Sequence, residues 1–230
     1  MSMRPVGYWF IDSIYYIRAT TQMYLAGRTS HFKPASEQGK PSVILLSGIT
    51  FQWGVLKHLI KNITDEGFHV YVLPDMGYNF WNIEKSAARV REFIDENKLS
   101  SVAILGYSKG GIIGKYLLKN HNNDGAIKKV VSVASPFSGS KLVRVIPHKS
   151  FGELEKKSEI IQSLLDDVSV NSLITSIYPK FDNLILPQGG SFLKGAKNIE
   201  INSRGHHKIL FHKDTKKTIM DELSSLVESL

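Results

Sequence analysis

At 230 residues, with 42% hydrophobic and 22% charged residues, the chain has the length and composition of one well-cored globular domain, which excludes disordered and fibrous classes. A formal charge of +8 attracts anionic partners, but the lysines are scattered in pairs such as Lys128 and Lys129, Lys156 and Lys157, and Lys216 and Lys217, and no nucleic-acid-binding motif is present. The chain has no cysteine, which excludes disulfides and thiolate metal sites, and no apolar run approaches the ~20 residues that span a bilayer.

The N-terminal stretch MSMRPVGYWFIDSIYYIRATTQMYL is aromatic and apolar, interrupted by Asp12 and Arg18. It lacks a small-residue cleavage site and does not read as a signal peptide. As a helix it either packs on the core or lies in a membrane interface with Tyr8, Trp9, Phe10, Tyr15 and Tyr16 as anchors. The expectation is a cytoplasmic protein, with peripheral membrane contact through residues 1–30. PASEQGKP (34–41) is a polar loop that separates residues 1–40 from a domain at 41–230.

From residue 41 onward, apolar β-branched runs alternate with helix-like segments. That pattern predicts an α/β fold: a mostly parallel central sheet with helices on both faces. Strands are predicted at 42–47, 68–73, 101–106, 129–134, 171–177 and 198–202. Helices are predicted at 53–65, 83–97, 109–120, 153–166 and 215–228. The segment 141–171, between the fourth and fifth strands, reads as a small helical cap, with Ile160, Ile161, Leu164 and Leu165 toward the site or the core.

ILGYSKGGIIG (104–114) places Ser108 among glycines where a buried strand (SVAIL) ends and an amphipathic helix (IIGKYLL) begins. Gly106-x-Ser108-x-Gly110 at a strand-to-helix turn fits a nucleophile elbow, in which a strained serine is lifted above the sheet edge and its neighbours must be nearly devoid of side chains. A phosphate loop is excluded because no G-x-x-x-x-G-K-[ST] string occurs.

A serine hydroxyl becomes a nucleophile only when a base takes its proton and a carboxylate orients the base. YPKFDNLILP puts Asp182, and INSRGHHKIL puts His206, just after predicted strands, at the edge where open α/β sheets build sites. His207 competes with His206; the flexibility of Gly205 favours His206. Asp166 and Asp167 compete with Asp182 but end a helix and read as solvated charges. For an oxyanion, the N–H of Lys109 follows the serine, and in SGITFQW Gly48 allows the Ile49 N–H to turn inward.

Taken together, SGITFQW, GYSKGG, SPFSGS, KFDNLILP and RGHHKIL resemble the α/β-hydrolase superfamily, and within it the lipase-like serine esterases, over roughly residues 41 to 225. The resemblance implies Ser108 as nucleophile, His206 as base, Asp182 as acid, and the Ile49 and Lys109 amides as oxyanion hole. It also matches Ser135, Pro136, Gly139 and Ser140 to a frequent post-strand segment. Ser47 stands where the family commonly has histidine.

The function so implied is cleavage of a carboxylic, lipid-like ester through an acyl-enzyme, with no metal or organic cofactor. Phe51, Trp53, Tyr107, Tyr78 and Trp81 are candidates to line an apolar substrate pocket. Thioesterase, amidase or acyltransferase activity on the same machinery, and an inactive hydrolase-fold binding protein, are the alternatives.

Overall fold

Alternate residues of the central strands enter two separate apolar cores. Val43 and Leu45 join one and Ile44 and Leu46 the other; Ala103, Leu105 and Tyr107 face the first while Val102 and Ile104 face the second. Burial on both faces is what a parallel sheet between helical layers requires, and it explains why these runs are continuously apolar.

The computed structural model describes residues 5–26, 31–33, 40–145 and 148–228. Parts of the N-terminal segment, the 34–41 loop up to residue 39, and residues 146–147 of the expected cap lie outside them. Within the described residues the strands are β1 (His31–Phe32), β2 (Ser42–Leu46), β3 (Val70–Val72), β4 (Val102–Tyr107), β5 (Ile127–Val133), β6 (Ile174–Phe181) and β7 (Lys197–Arg204). They form one sheet in the order β1-β3-β2-β4-β5-β6-β7, parallel except for β1 against β3.

The helices are α1 (Pro5–Tyr24), α2 (Lys57–Asp65), α3 (Ile83–Glu96), α4 (Lys109–Asn120), α5 (Lys149–Gly152), α6 (Glu159–Asp166) and α7 (Lys213–Glu228). Side chains of α1, α2 and α7 fill one core and those of α3, α4 and α6 the other. After β3 the chain crosses back over β2 to β4, so the strand order reverses between β2 and β4, the place where open α/β sheets form crevices for ligands.

The six predicted strands are all present, with shifted ends. Asn171–Leu173, expected as strand, is a 3-10 turn, and the Asn171 side chain donates to Lys194 O at 2.8 Å. The predicted 53–65 helix divides into a 3-10 turn, Trp53–Leu56, and α2. The predicted 153–166 helix starts only at α6, where the Ser158 hydroxyl caps the Ile161 N–H; Glu153 is instead engaged with the N-terminus of α3, accepting from Ile83 N at 3.0 Å. Strand β1 is two residues long, too short for any periodic signal.

On α7 the buried Glu222 carboxylate ties three strands together. It contacts Lys129 Nζ of β5 and Lys197 Nζ of β7, each at 2.6 Å, and accepts from Thr175 Oγ1 of β6 at 2.7 Å. Burial pushes its pKa up, but the two ammonium groups and the hydroxyl outweigh that and bring it down to about 2 from 4.5. A carboxylate with a depressed folded pKa stabilises the fold above its unfolded value, and that contribution disappears as pH falls from 4.5 toward about 2. Denaturant titrations of wild type and Glu222→Gln should therefore differ by on the order of 2 kcal/mol near neutrality and converge in that acid window.

Candidate active site

Strand β4 ends at Tyr107, and the next residue, Ser108, has φ 52° and ψ −115° before α4 begins. A left-handed φ on a residue with a Cβ is strained, and surrounding contacts must hold it. The Ser108 N–H donates to Val133 O at 2.8 Å. A Cβ at Gly106 would collide with the Gly110–Gly111 backbone, and one at Gly110 with Leu46 O. The glycines around the serine thus report how closely α4 crosses β4 and β2.

Asp182 follows the last residue of β6, and His206 follows β7 after Gly205, whose N–H donates to Phe181 O at 2.8 Å so that the two loops leave the sheet together. His206 Nδ1 lies 2.8 Å from Asp182 Oδ2, both side chains being buried. The other carboxylate oxygen accepts from Leu184 N at 2.8 Å and Ile185 N at 2.9 Å. Asn183 Oδ1 takes the His206 N–H at 2.9 Å, and Gln188 brackets the Asp182 backbone at 2.9 and 2.6 Å.

This pairing assigns the proton to Nδ1 and leaves Nε2 with a free lone pair. Burial opposes charge on the imidazole, but the Asp182 charge and hydrogen bond, with the Asp12 charge, win and place the His206 pKa above its ordinary value.

The neighbouring histidine has a different environment. His207 Nδ1 meets the Tyr107 hydroxyl at 2.7 Å, and its ring packs against Tyr16 and Phe51. Burial, then the charge of His206, pushes its pKa down to about 2. The His207 ring is neutral and, unlike that of His206, has no carboxylate hydrogen bond among the described residues. Asp166 and Asp167 end α6; Asp167 binds Ser169 and lies 3.5 Å from Lys119 Nζ, so neither joins the site.

On the opposite rim, the loop after β2 is braced where the resemblance led one to expect histidine. Ser47 Oγ donates to Phe51 O at 2.7 Å, and Asn79 Nδ2 donates to Ser47 O at 2.6 Å. Thr50 gives its N–H to Tyr78 O at 2.9 Å. Among the described residues no loop or turn hydrogen bond takes up the Ile49 or Lys109 N–H. The Lys109 side chain, for which the sequence suggests no direction, is fully buried and donates to Asn79 O at 3.1 Å and to Trp81 O. Burial lowers its pKa to about 8, against the attraction of Glu153.

Ser108, His206, Ile49, Phe51 and Tyr107 border one cavity of about 260 Å³. Leu142, Val143, Phe151 and Leu154 of the expected cap, with Leu184 and Ile185 of the acid loop, complete its apolar wall. The SPFSGS segment binds this wall to the acid loop: Ser140 Oγ donates to Leu184 O at 2.7 Å, and Ser138 N to Gly190 O at 2.9 Å. Ile161 and Leu164 of α6 are core residues.

Of the five aromatic pocket candidates, Phe51 and Tyr107 line the cavity; Trp53, Tyr78 and Trp81 do not. Trp53 points into the core beside Phe32, Trp81 packs on the other core with the Lys85 ammonium 4.3 Å from its ring centroid, and Tyr78 is an exposed neighbour of Phe80. A position after a strand puts a residue at the correct edge without saying which way its side chain turns.

Sequence reasoning read Asp12 as an interruption of an apolar stretch. In the structure it is buried, and its Oδ1 accepts from His207 N at 2.8 Å and Lys208 N at 2.9 Å. Burial pushes its pKa up, against the Lys208 amide and the His206 charge. The signal was present only as a charged residue on the inward face of a helix, with its partners almost 200 positions away.

Comparison with solved structures gives many matches. Aspergillus fumigatus lipase B superposes with a TM-score of 0.68 at 19% identity over 85% of this chain and 56% of that chain, so this protein spans little more than half of that lipase. A Paleococcus ferrophilus monoacylglycerol lipase matches at TM-score 0.65 and 15% identity, over 87% of this chain and 100% of the other. Bacillus licheniformis lipase BlEst2 matches at 0.62 and 17%, over 86% and 99%. No protein-family model and no curated protein sequence matches. The chain has the α/β-hydrolase fold.

Replacing Asp12 with alanine leaves the buried N–H groups of His207 and Lys208 without an acceptor, a loss of about 1–3 kcal/mol. Hydrogen exchange should accelerate at those two amides more than in β4 or β5, with a matching fall in the denaturation midpoint; unchanged exchange would show that other contacts hold the loop.

Proposed function

We propose that the protein is a serine hydrolase that cleaves a carboxylic ester with a neutral, lipid-like acyl group. One observation carries the reading: the strained serine at the β4–α4 turn and the imidazole oriented by a buried carboxylate open onto the same apolar cavity. The fold neighbours, which include lipases, carboxylesterases and an enol-lactonase from Burkholderia xenovorans, support the same chemistry.

In this mechanism Ser108 Oγ attacks the ester carbonyl while His206 Nε2 takes its proton. Asp182 keeps the tautomer and stabilises the imidazolium, and the Ile49 and Lys109 N–H groups receive the oxyanion. Collapse of the tetrahedral intermediate breaks the carbon–oxygen bond to the alcohol, which leaves with the proton from His206. Water then repeats the attack on the acyl-enzyme, releasing the acid and restoring the serine. Among the described residues the cavity wall contains no lysine, arginine, aspartate or glutamate, so a charged acyl group would lose its hydration without a partner.

Ser108→Ala should lower turnover of p-nitrophenyl esters by ~10⁴-fold or more and abolish labelling by a fluorophosphonate probe, with circular dichroism unchanged. Retained turnover defeats the assignment. Hydrolysis should favour neutral acyl chains over succinyl esters of equal length.

The pH dependence has a defined sign. The base acts as neutral imidazole, so kcat/KM falls about tenfold per pH unit below the His206 pKa, and the inflection lies above the ordinary histidine value of 6.5. Asp182→Asn should move that inflection down and cut kcat by ~10⁴-fold.

A further inference from the structure

Helix α1 buries Asp12, Ala19 and Met23 against the body of the protein. Its opposite face carries a run of apolar residues with Thr21 among them. Phe10, Ile14, Ile17 and Tyr24 recur at spacings of four, three and seven, which places them on one stripe, and Leu25 follows. Phe10 and Tyr24 are each 71% exposed and Ile17 is 64% exposed. The stripe runs for about 20 Å along the helix. The helix has two charged residues, Asp12 and Arg18, and since Asp12 faces inward, no carboxylate of α1 lies on the outer face.

Arg18, on α1 itself, borders the stripe, its guanidinium 4.4 Å from the Phe211 ring centroid; Arg204 and Lys208 lie over Tyr8 and Tyr15, rings on the inward side of the helix. Lys57 Nζ donates to Leu25 O at 2.9 Å and shares a shallow depression with Arg18 and Leu25. Tyr16, on the same helix, borders the cavity and packs against Phe51. The part-exposed ring of Tyr16 therefore joins the helix surface to the cavity wall.

We propose that the outer face of α1 docks the protein on an anionic phospholipid bilayer. Phe10, Ile14, Ile17, Tyr24 and Leu25 enter the headgroup region, and Arg18 and Lys57 beside them meet lipid phosphates. Aromatic and aliphatic residues gain by leaving water there, and each nearby cation adds attraction to anionic lipid. The charge pattern selects this occupant: a second copy of the chain would bring its own cations against these, whereas an anionic surface complements them. Delivery of a lipid ester to the cavity from that surface rests on the hydrolase reading; the docking itself does not.

Sedimentation of the full chain with vesicles tests the proposal, using phosphatidylcholine alone and phosphatidylcholine mixed with phosphatidylglycerol. Wild type should bind the mixed vesicles far more tightly than the neutral ones. Phe10→Ser with Ile17→Ser should weaken that binding about 100-fold, while Arg18→Gln with Lys57→Gln should reduce the preference for anionic lipid. Turnover of a soluble p-nitrophenyl ester should be that of wild type in both variants, and both should be folded by circular dichroism.

Binding by the double apolar variant equal to wild type overturns the proposal. So does a wild type that ignores vesicles but forms a dimer dissolved by Phe10→Ser and Ile17→Ser, which assigns the face to a second copy. Vesicle binding without ester turnover would sustain the docking and defeat only the hydrolase reading; turnover without vesicle binding would do the reverse.

Discussion

Two carboxylates removed from water meet three consecutive residues of one loop. Asp182 accepts the hydrogen bond from the His206 ring, while Asp12 accepts those from the backbone N–H groups of His207 and Lys208. A buried carboxylate left without donors is costly, so each acid and the loop specify the other's position. Gly205 completes the constraint: its φ is 127°, and a Cβ there would strike the Asp12 carboxylate. The placement of His206 thus depends on an acid that follows β6 and on one from α1, at the other end of the chain.

The opposite rim depends on hydrogen bonds to main-chain carbonyls. Ser47 and Asn79 hold the turn after β2, and the buried ammonium of Lys109 binds the 79–81 segment that packs beside it. Lys109 therefore opens α4 directly after Ser108 while its side chain anchors the adjacent loop. A short hydroxyl can replace a larger hydrogen-bonding side chain at position 47 because the carbonyl it must reach, that of Phe51, is only four residues away.

What was legible in the sequence follows the range of the physical cause. The elbow was readable because close helix–strand packing excludes side chains at Gly106 and Gly110, and that restriction is written locally. The parallel sheet was readable because double-sided burial leaves continuous apolar runs. The choice between His206 and His207 was not fully written there, since adjacent residues share their local context; Tyr107, a hundred positions away, occupies one ring and Asp182 the other. Asp12 was opaque for the same reason. Trp53, Tyr78 and Trp81 show the complementary limit: strand ends locate residues at an edge, whereas tertiary packing decides whether a ring faces cavity, core or solvent.

Helix α1 joins these two scales. Its inward face supplies Asp12 to the histidine loop and Tyr16 to the cavity wall, so it is part of the site's architecture. Its outward face retains hydrophobic residues where a helix serving only as a scaffold would be covered with charge. The inward contacts account for Asp12, Tyr16, Ala19 and Met23 and leave Phe10, Ile14 and Ile17 exposed. Tyr16, part exposed and part in the cavity wall, connects the surface of the helix with the cavity that Ser108 borders.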